Sequence, residues 1–89
     1  MSLTWPSKDP NEVLDYVLDW SARLAGDTIQ SSTWTPDGSV TIDSDSHTET
    51  ETTVWLSGGS AGKTTFLNRI TTAGGRTMDQ TVSLSVADK

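Results

Sequence analysis

The run Asp43-Ser44-Asp45-Ser46-His47-Thr48-Glu49-Thr50-Glu51 is the stretch best equipped for chemistry. In a strand, alternation puts Asp43, Asp45, His47, Glu49 and Glu51 on one face, a row that would draw a cation. Same-face neighbours in a strand sit about 6.6–6.8 Å apart, too far for three to share one ion without a second segment. The EF-hand spacing also fails, because its glycine position falls on Thr48 and its bidentate glutamate position on Val54. A solvated polar edge or loop whose charges block edge-to-edge pairing fits these residues better. His47 is the only histidine, and no Ser–His–Asp set can be assembled around it. Asp15 and Asp19 share the outer face of a strand, where solvated aspartate is ordinary. No catalytic pair stands out.

Gly58-Gly59-Ser60-Ala61-Gly62-Lys63-Thr64-Thr65 invites a phosphate-loop reading. The motif needs a glycine five residues before Gly62, and that position is Ser57. The loop should also open a helix whose amide dipoles hold phosphate. Thr64–Thr72 reads as a strand instead, so a plain β-turn is the better account.

The tryptophans offer contact rather than catalysis. Trp20 and Trp34 suit a sandwich core. Trp55 lies between Val54 and Leu56 and points opposite to them. If those two face inward, Trp55 is exposed and becomes an interface candidate. Trp5 is the one large anchor of the N-terminal segment. Packing on its own domain and docking into a partner are equally compatible with it.

These residues must be placed by a small domain. The chain has 89 residues, enough for one domain with a modest core. Its net charge of −6 and pI of about 4.3 argue against binding the phosphate backbone of nucleic acid and against anionic membranes. Without cysteine it has neither a disulfide framework nor a thiolate metal site. Residues 1–13 lack the charged-then-apolar pattern of a signal peptide, and no apolar run is long enough to span a bilayer. The expectation is a soluble protein made in the cytosol, with no cofactor.

The pattern along the chain is β. Residues 1–12, with Pro6 and Pro10, read as an extended arm, and residues 13–87 as the folded domain. Residues 13–24 fit two templates. Asp9-Pro10-Asn11-Glu12 resembles a helix start, and Val13, Val17, Trp20 and Leu24 recur at near-helical spacing. Leu14, Tyr16, Leu18, Trp20, Ala22 and Leu24 also alternate with a mostly polar set, and the strand is preferred over this whole segment. Thr28–Thr35 reads as the next strand. Ile29 and Trp34 have opposite parity there, which predicts a bulge or a change of face between them. Pro36-Asp37-Gly38 is a turn, and Val40-Thr41-Ile42 begins a third strand. Thr53–Leu56, Thr64–Thr72 and Thr81–Val86 follow, the last two joined by a hairpin at Ala73-Gly74-Gly75-Arg76. Phe66, Ile70, Val82, Leu84 and Val86 should share one core. A strand from the N-terminus or the acidic segment brings the count to about seven, as in a small immunoglobulin-like antiparallel β-sandwich.

Particular residues carry a family resemblance. They include Lys8-Asp9-Pro10, Glu12 to Tyr16, Asp19 to Leu24, Asp27-Thr28-Ile29 and Ser32-Thr33-Trp34. Further on they are Thr53 to Gly59, Ala61-Gly62, Asn68 to Thr72, Gly75-Arg76-Thr77 and the closing Thr81–Val86 strand. In these the chain resembles Gp77-like bacteriophage proteins of the fiber–tail adaptor type, over nearly its whole length. Only segment 43–52 matches poorly. The resemblance implies a non-enzymatic virion structural protein in the tail, made in the host bacterial cytoplasm. It would connect tail to receptor-binding fiber by protein–protein contact, with tail and fiber proteins as partners and neither nucleic acid nor membrane. Self-association in the virion is left open, and many weak copies around a symmetric tail would gain through avidity. The expected contact residues are Trp5, Pro6, Trp55 and the hairpin tip Gly74, Gly75 and Arg76. Trp5→Ala and Trp55→Ala are each expected to weaken assembly without unfolding the domain. The alternative is a carbohydrate- or calcium-binding β-sandwich module, with Trp55 stacking on a sugar or the acidic row holding calcium.

Overall fold

The computed structural model describes residues 2–89. Seven strands form two sheets. They are β1 (Ser2–Thr4), β2 (Leu14–Asp19), β3 (Ile29–Asp37), β4 (Val40–His47), β5 (Glu51–Gly58), β6 (Gly62–Thr72) and β7 (Thr77–Val86), with one helical turn, α1 (Ser21–Leu24). One sheet has the order β1-β7-β6-β3 and the other β2-β5-β4. All pairings are antiparallel except β1 on β7. This is an immunoglobulin-like sandwich whose first strand lies beside its last.

Alternation builds the core. In β7, Val82, Leu84 and Val86 point inward, and in β6 Phe66 and Ile70 do the same. Tyr16 and Leu18 of β2 and Val54 and Leu56 of β5 close the other side. Trp34 and Ile29 sit out of phase as their parity predicts, because the β3–β6 register shifts between Ile29 and Ser31. Pro36 is tolerated within β3 because β3 is an edge strand. The strand therefore runs on to Asp37, and the chain turns at Gly38 and Ser39 rather than at Pro36-Asp37-Gly38.

Segment 13–24 is a strand only as far as Asp19. The Asp19 carboxylate accepts the Ser21 N–H at 2.9 Å and turns the chain. Leu24 N–H then reaches Trp20 C=O at 2.9 Å, closing one α-turn that ends on left-handed Ala25. Trp20 and Leu24 satisfied both templates; their four-residue spacing buries both on one side of the turn, while Ala22 is left exposed. The helix-start signal at Asp9 forms its hydrogen bonds but no helix. Asp9 N–H donates to Glu12 Oε1 at 2.7 Å and Asn11 N–H to Asp9 Oδ1 at 2.8 Å, after which the chain enters β2.

The N-terminal segment is extended but is not a separate arm. β1 pairs with Thr81–Ser83, Trp5 N–H donates to Ser83 C=O, and Lys8 N–H donates to Ser85 C=O. Lys8 is fully buried, and its Nζ donates to the Gly58 and Asp9 carbonyls at 2.7 and 2.9 Å. Trp5 lies between the sheets. It stacks on Tyr16 at 4.7 Å between ring centroids and sits 5.6 Å from Trp34 and 5.9 Å from Phe66.

Candidate interaction surface

The fold turns one sheet face outward with an apolar centre. Along β5, Val54 and Leu56 are completely buried, so the pleat directs Trp55 into solvent, where it is 43% exposed. Trp55 stands opposite Asp15 of β2 and Ser44 of β4. Val13 and Val17 flank Asp15 with the same parity and are 58% and 45% exposed. Of the large apolar side chains in water, only Leu3 on the far sheet lies elsewhere among the described residues.

Acids surround this centre. Asp19 stands directly opposite Glu51, both exposed. The Ser21 N–H holds the Asp19 carboxyl below the usual range. Asp43 joins the same face, its carboxylate accepting the Ser57 hydroxyl at 2.9 Å. The row of same-face acids predicted for a continuous strand does not form. The β4–β5 register shifts between Ile42 and Ser44, and the chain turns between His47 and Glu51. A bulge inverts parity, so Asp43 falls out of step with Asp45 and His47. Among the described residues no His, Asp and Glu group is arranged to hold a metal ion.

The other residues singled out in the sequence fall in different places. Trp5 is only 9% exposed and belongs to the core, so of its two readings the structure has it packed on its own domain. Pro6 is exposed, and its carbonyl is fixed by the Tyr16 hydroxyl at 3.1 Å. Gly74, Gly75 and Arg76 are exposed at the β6–β7 hairpin. Gly74 N–H donates to Asp27 Oδ1 at 3.0 Å, and a Cβ at Gly74 would lie 2.6 Å from Asp27 Oδ2, so a larger residue there would have to displace this carboxylate. Hydrogen bonds, first from the Thr72 hydroxyl and then from backbone N–H groups, hold the Asp27 carboxyl below its ordinary range. The tip is thus a braced turn at the end of the sandwich, on a different surface from Trp55. The Gly58–Lys63 segment turns into β6, a strand, and lacks the helix that a phosphate loop needs.

Val13 and Val17 entered the sequence reading only as part of a near-helical spacing, not as contact residues. The available signal was two valines among the mostly polar members of the alternation over residues 13–24.

Comparison with curated proteins finds no match. The family model for podophage GP4 fiber-tail adaptor protein gp77 matches residues 8–85, from the buried Lys8 to the penultimate residue of β7. On a match that takes in both sheets, the chain belongs to the podophage fiber-tail adaptor family gp77.

Proposed function

We propose that this protein is a non-enzymatic component of the phage tail that joins tail to receptor-binding fiber through protein–protein contact. The observation that carries the reading is the adaptor-family match across residues 8–85. The solvent-facing Trp55 supports it, since exposed aromatic side chains ringed by polar groups are typical interface anchors. A rigid two-sheet domain suits a connector because little ordering entropy is lost on contact. Its synthesis in the host cytoplasm and its place in the finished tail belong to the same proposal.

Mass spectrometry of purified virions of the encoding phage tests it. The expected result is the chain at a stoichiometry matching tail or fiber symmetry. Abundance in infected cells with absence from virions would overturn the structural role.

A further inference from the structure

The charge carried by the strands is divided unequally between the sheets. β2, β4 and β5 hold Asp15, Asp19, Asp43, Asp45 and Glu51 and no Lys or Arg. The other sheet balances Asp37 and Asp79 with Lys63 and Arg69, and Arg69 closes on Asp79 at 2.7 Å. The acidic sheet also leaves Val13, Val17 and Trp55 in water. Neither feature helps the isolated domain. Exposed apolar side chains gain nothing from solvent, and Asp19 facing Glu51 is a like-charge cross-strand pair, which is destabilising. A cover of the right chemistry relieves both.

We infer that the outer face of β2-β5-β4 docks a partner protein that seats an apolar side chain on Trp55, Val13 and Val17 and surrounds it with Lys or Arg facing Asp15, Asp19 and Glu51. The inference rests on the adaptor reading and names the chemistry of one partner. The charge selects the occupant. A second copy meeting this face across a two-fold axis would set acid against acid. Nucleic acid is repelled for the same reason. β5 is paired on both edges, so its backbone is spoken for and recognition at its centre falls to side chains. A basic rim adds electrostatic steering, which weakens as salt rises.

The purified full chain is tested by biolayer interferometry against each virion protein of the encoding phage, expressed separately. The variants are Trp55→Ala, the double charge reversal Asp15→Lys with Glu51→Lys, and Lys63→Glu on the opposite sheet as control. All change exposed side chains, and circular dichroism checks their folding. One virion protein should bind, and Trp55→Ala should weaken it about tenfold or more. The double reversal should lose a comparable amount, while Lys63→Glu stays within about twofold. Wild-type binding should fall steeply between about 0.05 and about 0.5 M salt. Binding that survives both face variants but is lost in Lys63→Glu overturns the inference and leaves the adaptor reading standing. Binding lost in Trp55→Ala yet indifferent to charge reversal and salt overturns the basic rim. A concentration-dependent dimer abolished by Trp55→Ala overturns it in favour of a second copy. Failure of every virion protein to bind also overturns it, and presence of the chain in purified virions then decides the adaptor reading separately.

Discussion

Trp20 and Asn68 join the two sheets through the core, the indole Nε1–H donating to the amide Oδ1 at 3.0 Å. Trp20 follows β2 in one sheet, and Asn68 lies in β6 of the other. Thr52 of β5 donates to the same oxygen at 2.7 Å. The amide nitrogen donates to Ser32 Oγ and Thr33 C=O, each at 2.9 Å. Every donor and acceptor site of this fully buried amide is therefore used, the condition under which an interior polar group fixes structure rather than weakening it.

Asn68→Leu keeps the branching of the side chain but leaves the Trp20 N–H, the Thr52 hydroxyl and the Thr33 carbonyl without their partner. It should cost about 3 kcal/mol. Thr52→Val removes only one donor and should cost about 1 kcal/mol. Urea denaturation of the two variants checks the order, and equal costs would show that the amide does not act as the hub.

Trp5 and Trp55 should behave oppositely in the same experiment. Trp5 fills the space among Tyr16, Trp34 and Phe66, so Trp5→Ala opens a cavity and should cost about 3–5 kcal/mol. Trp55→Ala removes an exposed ring and should change stability by no more than about 0.5 kcal/mol. A large loss on Trp55→Ala would mean that the outer face is packed rather than open.

Much of the fold was legible in the residues because alternation and turn chemistry are local. Val82, Leu84 and Val86, Phe66 and Ile70, and the parity conflict between Ile29 and Trp34 pointed to their places. Trp55 was legible for the same reason, since Val54 and Leu56 flank it. The failures share another cause. Trp20 and Leu24 fit two periods at once, and the choice was made by the Asp19 carboxylate bonding Ser21 N–H. The inward turn of Trp5 depends on β1 pairing with β7, residues more than seventy positions apart, as in Ser2 with Thr81. Asn68 and Lys8 are polar by type and buried only because distant carbonyls and hydroxyls meet them. The acidic segment was read as a solvated edge or loop, and it forms the edge strand β4 and the turn to β5; only the bulge at Asp43 was not legible.

The tryptophans give a direct optical check on the outer face. Trp55 is 43% exposed, whereas Trp20 and Trp5 are buried and Trp34 is half-buried. Acrylamide should quench a minor, easily reached part of the fluorescence. Trp55→Phe should remove that part and leave a more weakly quenched, blue-shifted spectrum. Iodide should quench the same component poorly, because Asp15 stands beside Trp55 and repels an anion. Efficient iodide quenching would contradict the acidic surroundings.

Acid should destabilise the domain. The carboxyls of Asp9, Glu12, Asp19, Asp27 and Asp79 are all held below their ordinary values. Hydrogen bonds lead in each case, from the backbone N–H of Asn11, Asp9 and Ser21, from the Thr72 hydroxyl, and from the Arg69 guanidinium respectively. A group with a depressed folded pKa contributes stability that is present above its unfolded pKa and lost as pH falls through the folded one. The thermal midpoint should therefore hold between about pH 7 and pH 5 and drop below about pH 4. Asp27→Asn keeps an acceptor for the Thr72 hydroxyl and Gly74 N–H without the titration, so its midpoint should fall less steeply with acid. One force opposes the trend, because protonating Asp19 removes its charge opposite Glu51 across β2 and β5. A midpoint that rises on acidification would mean that this relief outweighs all the lost carboxylate hydrogen bonds, and that the acidic face is maintained at a greater cost to folding than its exposed position suggests.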